Sequence, residues 1–168
     1  MKFLNDHANK ILSTIKATRL SESLRNQGKT VILAGGCFDI LHVGHITFLQ
    51  EAKKRGEYLF VLLESDASIR KMKGPNRPIN TQEDRAKVLS ALTTVDIIIP
   101  LPGVLKNEDY DELILALKPA IIATNKADPN RLHKVRQATK SGSVLVDVGE
   151  EVQNLSTTHI AKLLQKDL

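Results

Sequence analysis

Five short runs of this chain are predominantly apolar, without alternation, and amphipathic stretches separate them. The runs lie at residues 30–33, 58–63, 95–99, 120–123 and 144–148. A strand with one wet face alternates apolar and polar side chains, whereas a strand covered on both faces does not. Tyr58-Leu59-Phe60-Val61-Leu62-Leu63 shows no alternation. Runs of this kind with helical patterns between them predict a parallel sheet carrying helices on both sides. Right-handed crossovers then wind the chain into an α/β fold, a three-layer α/β/α sandwich doubly wound around a five-stranded parallel sheet. With 168 residues the chain suits one domain and is short for two. We therefore expect a single domain over 1–168, with 1–28 as an N-terminal helical extension. Ile11, Ile15, Leu20 and Leu24 mark that helix, and Gly28 stops it.

The other helices follow from their ends. Residues 43–55 read as a helix with Ile46, Leu49 and Ala52 on one side. Ser65 caps a short helix that ends near Lys73, and Gly74-Pro75-Asn76-Arg77-Pro78 is a loop. Asn80 followed by Glu83 has capping-box spacing and predicts a helix to about Leu92. Residues 108–117 are helical, Asp128-Pro129 opens a helix to about Thr139, and residues 156–164 form a last one.

Composition removes several classes of function. No apolar run reaches the roughly 20 residues of a membrane helix, and the opening residues show no signal-peptide core. A single cysteine forms no intramolecular disulfide framework and fits a reducing cytoplasm. The net charge of +5 suits an anionic partner. Nucleic acid is disfavoured as that partner, because only 4% of residues are aromatic and the basic residues are scattered. A solvated basic face accounts for the charge equally well.

Doubly wound sheets bind ligands beyond the carboxyl ends of their strands. There, after the first strand, the chain reads Gly35-Gly36-Cys37-Phe38-Asp39-Ile40-Leu41-His42-Val43-Gly44-His45. It matches neither the dinucleotide fingerprint nor the P-loop. Histidines three apart share a helix face. A glycine between them lets an anion approach the backbone, and a helix N-terminus offers free N–H groups with partial positive charge. His42, Gly44 and His45 therefore predict a polyphosphate cradle. Zinc is the rival reading, with Cys37, His42 and His45 as ligands, but no second Cys/His cluster with ligand spacing follows.

These residues resemble the cytidylyltransferase-like nucleotidyltransferases, a Rossmann-like family marked by His-x-Gly-His. The resemblance continues through Ser65-Asp66-Ala67-Ser68, Lys71-Met72-Lys73-Gly74-Pro75, Arg77-Pro78-Ile79-Asn80 and Glu83-Asp84-Arg85-Ala86 to Val95-Asp96. The arrangement is most similar to the adenylyltransferase domain of bacterial ADP-heptose synthesis, and more distantly to glycerol-3-phosphate cytidylyltransferase. It implies transfer of a nucleotidyl group from a nucleoside triphosphate to a small phosphorylated acceptor, with release of pyrophosphate. His42, His45 and Lys73 are implied as catalytic. Gly36, Cys37, Phe38, Asp39, Gly44, Asn125 and Asp128 are implied to bind nucleotide, together with Ser156, Thr157 and Thr158 at a second phosphate-binding helix start. Asp39, Glu64 and Arg77 are candidates for the acceptor. Mg²⁺ is the implied cofactor, offsetting triphosphate charge with few protein ligands, and a homodimer is the implied assembly.

The chain also departs from the heptose pattern. Thr124-Asn125-Lys126-Ala127-Asp128 stands in place of Lys-Gly-Gly-Asp, Ala34-Gly35 in place of Thr-Asn, Glu64 in place of asparagine, and Asn154 in place of a glycine. The departures spare the cradle and fall around base and acceptor. Cytidylyl transfer to a polyol phosphate and a non-catalytic nucleotide-binding module therefore stand as alternatives. On the sequence alone Arg85 and Asp84 read equally as a surface charge pair or as residues reaching the site.

Overall fold

A computed structural model describes residues 10–148, and in it all five apolar runs become strands of one sheet. The chain runs α1 (Thr14–Asn26), β1 (Val31–Gly36), α2 (Val43–Lys53), β2 (Tyr58–Leu63), α3 (Asp66–Lys73), α4 (Gln82–Ser90), β3 (Ile97–Pro100), α5 (Asn107–Leu117), β4 (Ile121–Thr124), α6 (Arg131–Ser141) and β5 (Val144–Asp147). Every strand pair is parallel, in the order β3-β2-β1-β4-β5. The expected helix at 156–164 lies outside the described residues.

The absence of alternation in the strands has its cause in two separate cores. Ile32, Ala34, Leu59, Val61, Leu63 and Ile98 pack on one face against Leu49 and Ala52 of α2 and Ala86 and Leu89 of α4. Val31, Leu33, Phe60, Leu62, Ile97 and Ile99 pack on the other against Ala17 and Leu24 of α1, Ile114 and Leu117 of α5, and Ala138 of α6. Each fully buried aliphatic side chain contributes roughly 1.5–3 kcal/mol of transfer free energy. A polar residue on either side of a central strand therefore carries a large penalty.

The segment before β1 does two jobs. Ile11 bridges to Ile98 and the Leu12 N–H donates to the Ile98 carbonyl at 2.9 Å, so the β3 edge of the sheet is covered. Ser13 then caps α1, whose Ser21 hydroxyl donates to the Leu117 carbonyl at 2.7 Å and docks the helix on α5.

Two helix starts differ from the sequence expectation. Thr81, rather than Asn80, caps α4, accepting from the Asp84 N–H at 3.2 Å, while the Asn80 amide donates to the Asp39 carbonyl at 2.7 Å. At α6 the N-cap is Asn130, and the Asp128 carboxylate accepts from its N–H at 2.8 Å. Strand boundaries move by one or two residues, except that β1 runs on three residues further, to Gly36. Among the described residues no helix is long and apolar enough to cross a membrane.

This strand order fixes where a ligand binds. From β1 the chain crosses by α2 to β2. From β4 it crosses by α6, on the opposite face, to β5. The loops after β1 and β4 therefore part company, and a crevice opens between them at the carboxyl end of the sheet.

Candidate active site

The β1–α2 loop turns sharply at Phe38, whose φ is +46°. That left-handed backbone is uncommon for a bulky side chain, and here it folds the ring back over the strand end. A Cβ on Gly36 would sit 3.0 Å from Phe38 Cε2, so glycine leaves the room the ring occupies. The ring is buried and faces His45, with centroids 5.1 Å apart and planes tilted by 56°. His42 stacks on His45, centroid to centroid 3.8 Å and 29° from parallel. Phe38, His45 and His42 thus form one cluster of rings at the N-terminus of α2.

His42 is the N-cap of α2, yet its side chain makes no capping bond. Both imidazoles stand at the start of α2, with Gly44 between them in the chain. Both are biased towards the neutral form. Burial pushes the pKa of His45 down to about 4, with His42 and Lys73 adding to the effect and a hydrogen bond to the Ile40 backbone opposing it. Burial also lowers His42, and Lys73 again contributes. Lys73 ends α3, is exposed, and has no ion-pair partner among the described residues. Its field also works on Cys37, where burial nevertheless holds the thiol above its ordinary pKa.

Asp39 and Arg77, both candidates for the acceptor, pair with each other. Arg77 Nε donates to Asp39 Oδ2 at 2.6 Å, and Nη2 lies 2.5 Å from the same oxygen without hydrogen-bond geometry. Asp39 Oδ1 accepts from the N–H groups of Ile79 (2.8 Å) and Asn80 (3.1 Å). Both carboxylate oxygens are thus engaged within the protein. The pair straps the loop after α3 to the loop after β1, which keeps Lys73 beside the histidines.

Arg85 is no surface charge. It is 1% exposed and donates to four acceptors from separate parts of the chain. Nε bonds the Asn80 carbonyl at 3.1 Å and Nη1 the Cys37 carbonyl at 2.6 Å. Nη2 bonds the Glu64 carbonyl at 2.8 Å and Asp66 Oδ1 at 2.7 Å. The floor of the crevice is therefore braced from below by one guanidinium. Asp84 points elsewhere, accepting from the Thr81 hydroxyl at 2.7 Å.

Glu64 follows β2 at the crevice wall, and its N–H donates to the Gly36 carbonyl at 3.1 Å. Its Oε1 accepts from the Tyr110 hydroxyl at 2.7 Å, a partner from α5 that nothing in the sequence pattern marked. Across the crevice, Asp128 turns back on its own loop. It accepts from the Thr124 hydroxyl at 2.8 Å and pairs with Lys134 at 2.5 Å. Burial alone would raise its pKa, but Lys134, the Asn130 N–H and Thr124 bring it below the ordinary value. Asn125 is exposed at the β4 end. Ser156, Thr157 and Thr158 lie outside the described residues.

Comparison with known proteins agrees with this geometry. The cytidylyltransferase-like family model matches residues 33–167. The bifunctional protein HldE of Wolinella succinogenes is 45% identical over 113 residues, which is 67% of this chain and 23% of that protein. The HldE of Syntrophotalea carbinolica is 38% identical over 149 residues, 84% of this chain and 30% of that one. The chain thus spans less than a third of the length of these two relatives. Among solved structures, a lipopolysaccharide core biosynthesis protein from Thermoplasma volcanium superposes with a TM-score of 0.61 at 29% identity, covering 73% of this chain and 98% of that one. A pantoate-beta-alanine ligase from Francisella tularensis shares the fold alone, at a TM-score of 0.60 and 13% identity. The chain belongs to the cytidylyltransferase-like family, as a nucleotidyltransferase domain.

Proposed function

We propose that this chain transfers an adenylyl group from ATP to a heptose 1-phosphate-like sugar phosphate and releases pyrophosphate. The observation that carries the reading is the stacked His42–His45 pair at the switch point of the sheet, with the unpaired Lys73 beside it. The choice of adenine and of a sugar phosphate rests on the likeness to the HldE proteins and to the lipopolysaccharide core biosynthesis protein.

In this reading a phosphate oxygen of the acceptor attacks the α-phosphorus, and the bond from that phosphorus to the bridging oxygen of pyrophosphate breaks. Charge grows on the α-phosphoryl and bridging oxygens, so catalysis is positioning plus electrostatic stabilisation. His42 and His45 donate to those oxygens. A neutral imidazole offers one N–H and keeps one lone pair, and the arriving phosphates favour a second proton on it by reversing the local field. Lys73 neutralises the leaving pyrophosphate from the loop side.

Magnesium enters as part of the triphosphate substrate, where it offsets phosphate charge. Among the described residues no group of three or more His, Cys, Asp or Glu side chains is placed to hold a metal, and both oxygens of Asp39 are engaged. That donor set suits a cation carried mainly on phosphate oxygens and water.

The test is pyrophosphate release from each of the four ribonucleoside triphosphates with Mg²⁺, against heptose 1-phosphate and glycerol 3-phosphate. Turnover with ATP and the sugar phosphate is expected. Turnover only with CTP and glycerol 3-phosphate overturns the choice of base and acceptor. Tight triphosphate binding without pyrophosphate release from any pair overturns the enzymatic reading in favour of a nucleotide-binding module.

A further inference from the structure

Two charges near the histidines have no ion-pair partner among the described residues. Four charged groups act on Cys37: Lys73, Glu64, Arg85 and Asp39. Asp39 is paired with Arg77, and Arg85 with Asp66. Lys73 and Glu64 remain, one cation and one anion. Lys73 suits a phosphate. Glu64 repels one, so the anion marks the part of the crevice where the ligand carries hydrogen-bond donors and no negative charge.

The geometry at Glu64 is that of a prepared acceptor. Its backbone is pinned at both ends, by the Gly36 carbonyl and by Arg85 Nη2. Tyr110 fixes Oε1 at 2.7 Å. Ser68 contacts the same phenol, and burial with the nearby Glu64 carboxylate pushes its ionisation far above the ordinary range, so Tyr110 remains a donor. The second oxygen, Oε2, is shielded from bulk water and has no hydrogen-bond partner within the protein. A carboxylate oxygen left in that state is costly until a donor meets it. A donor that reaches Oε2 meets a carboxylate whose other oxygen Tyr110 already holds in place.

We infer that Glu64, oriented by Tyr110, accepts a hydrogen bond from a hydroxyl of the acceptor and so selects a polyhydroxylated phosphate ester over a bare phosphate. This rests on the proposed transfer reaction and deepens it: Lys73 and the histidines take the phosphates, and Glu64 takes the sugar. Glu64 binds substrate in this assignment, and Tyr110 is a positioning residue that acts through it.

The test compares wild type, Glu64→Gln and Tyr110→Phe as full chains. Each is saturated with Mg²⁺ and the non-hydrolysable triphosphate analogue that binds most tightly. Heptose 1-phosphate, glycerol 3-phosphate and inorganic phosphate are then titrated in by calorimetry. A hydrogen bond to a charged acceptor is about twice as strong as a neutral one. Glu64→Gln is therefore expected to weaken the best-bound ester about tenfold and to leave inorganic phosphate unchanged or tighter. Tyr110→Phe is expected to weaken the ester by a smaller factor, with phosphate again unmoved. The ratio of ester to phosphate affinity is the readout, because a merely structural defect lowers both. An unchanged ratio in Glu64→Gln overturns the inference, as does a wild type that holds no ester more tightly than inorganic phosphate. Pyrophosphate release by the wild type is scored separately, so loss of the reaction and loss of the hydroxyl contact are told apart.

Discussion

The imidazoles of His42 and His45 stack at 3.8 Å, closer than either ring approaches any other aromatic group given a contact in this crevice. Two rings so close resist carrying two positive charges, and in the proposed reaction the pair donates to phosphate oxygens. Replacing either histidine with alanine is expected to lower the turnover of pyrophosphate release about 10²-fold or more, as the loss of one transition-state donor does. The double variant is expected to fall little further than the worse single one, since the two act as a unit. Full turnover in either single variant with the true substrates refutes the assignment.

Stability should depend on pH through His45. Its pKa is about 4 in the fold against 6.5 for an ordinary histidine. Between those values the unfolded chain binds the proton and the folded chain does not, so stability rises with pH there. The contribution is complete above about pH 6.5 and is lost as the pH falls towards 4. Thermal melts from pH 7 to 4 are expected to show a decline that His45→Gln reduces. Triphosphate binding near pH 5.5 should take up protons, seen as a buffer-dependent enthalpy in calorimetry. Equal declines in wild type and His45→Gln would contradict the buried neutral ring.

The sheet was legible because burial on both faces leaves its mark residue by residue: β1 to β4 lie between two cores, and their sequences are apolar throughout. The pairing of the two histidines was legible because its parts are contiguous, with His42, Gly44 and His45 at the start of one helix. What stayed hidden depends on partners distant in sequence. Asn80 looked like a cap, but Asp39 takes its amide and leaves the cap to Thr81. Arg85 is indistinguishable by pattern from an exposed helix charge, since its acceptors Cys37, Glu64, Asp66 and Asn80 come from different loops. Tyr110 sits in an ordinary amphipathic helix, and only the fold brings its hydroxyl to Glu64.

The depth of Arg85 gives a test that separates a brace from a surface charge. Arg85→Met removes the buried guanidinium that the carbonyls of Cys37, Glu64 and Asn80 and the Asp66 carboxylate share, and a loss of about 3–5 kcal/mol in urea unfolding is expected. Arg85→Lys should recover only part of this, because one ammonium does not span acceptors that Nε, Nη1 and Nη2 reach separately. Asp84→Ala, one residue away and exposed, removes only a capping contact and should cost about 1 kcal/mol or less. Comparable losses for Arg85→Met and Asp84→Ala would show that the guanidinium is not holding the crevice floor.

The two glycines at the end of β1 should respond differently to the same added methyl group. At Gly35 a Cβ meets Leu62 Cβ at 3.7 Å, an ordinary contact, and Gly35→Ala is expected to change stability by no more than about 0.5 kcal/mol. At Gly36 a Cβ meets the Phe38 ring at 3.0, 3.3 and 3.4 Å. The ring has little freedom to yield, because it is buried, its backbone is held at φ +46° and it contacts His45. Gly36→Ala is therefore expected to cost about 1–3 kcal/mol, the usual range for overpacking. It should also lower kcat, because the push passes through the ring to His45 and from there to His42. Urea unfolding and steady-state kinetics on the two variants separate the effects. If Gly36→Ala keeps wild-type kcat while losing stability, the Phe38 ring packs the loop without positioning the histidines.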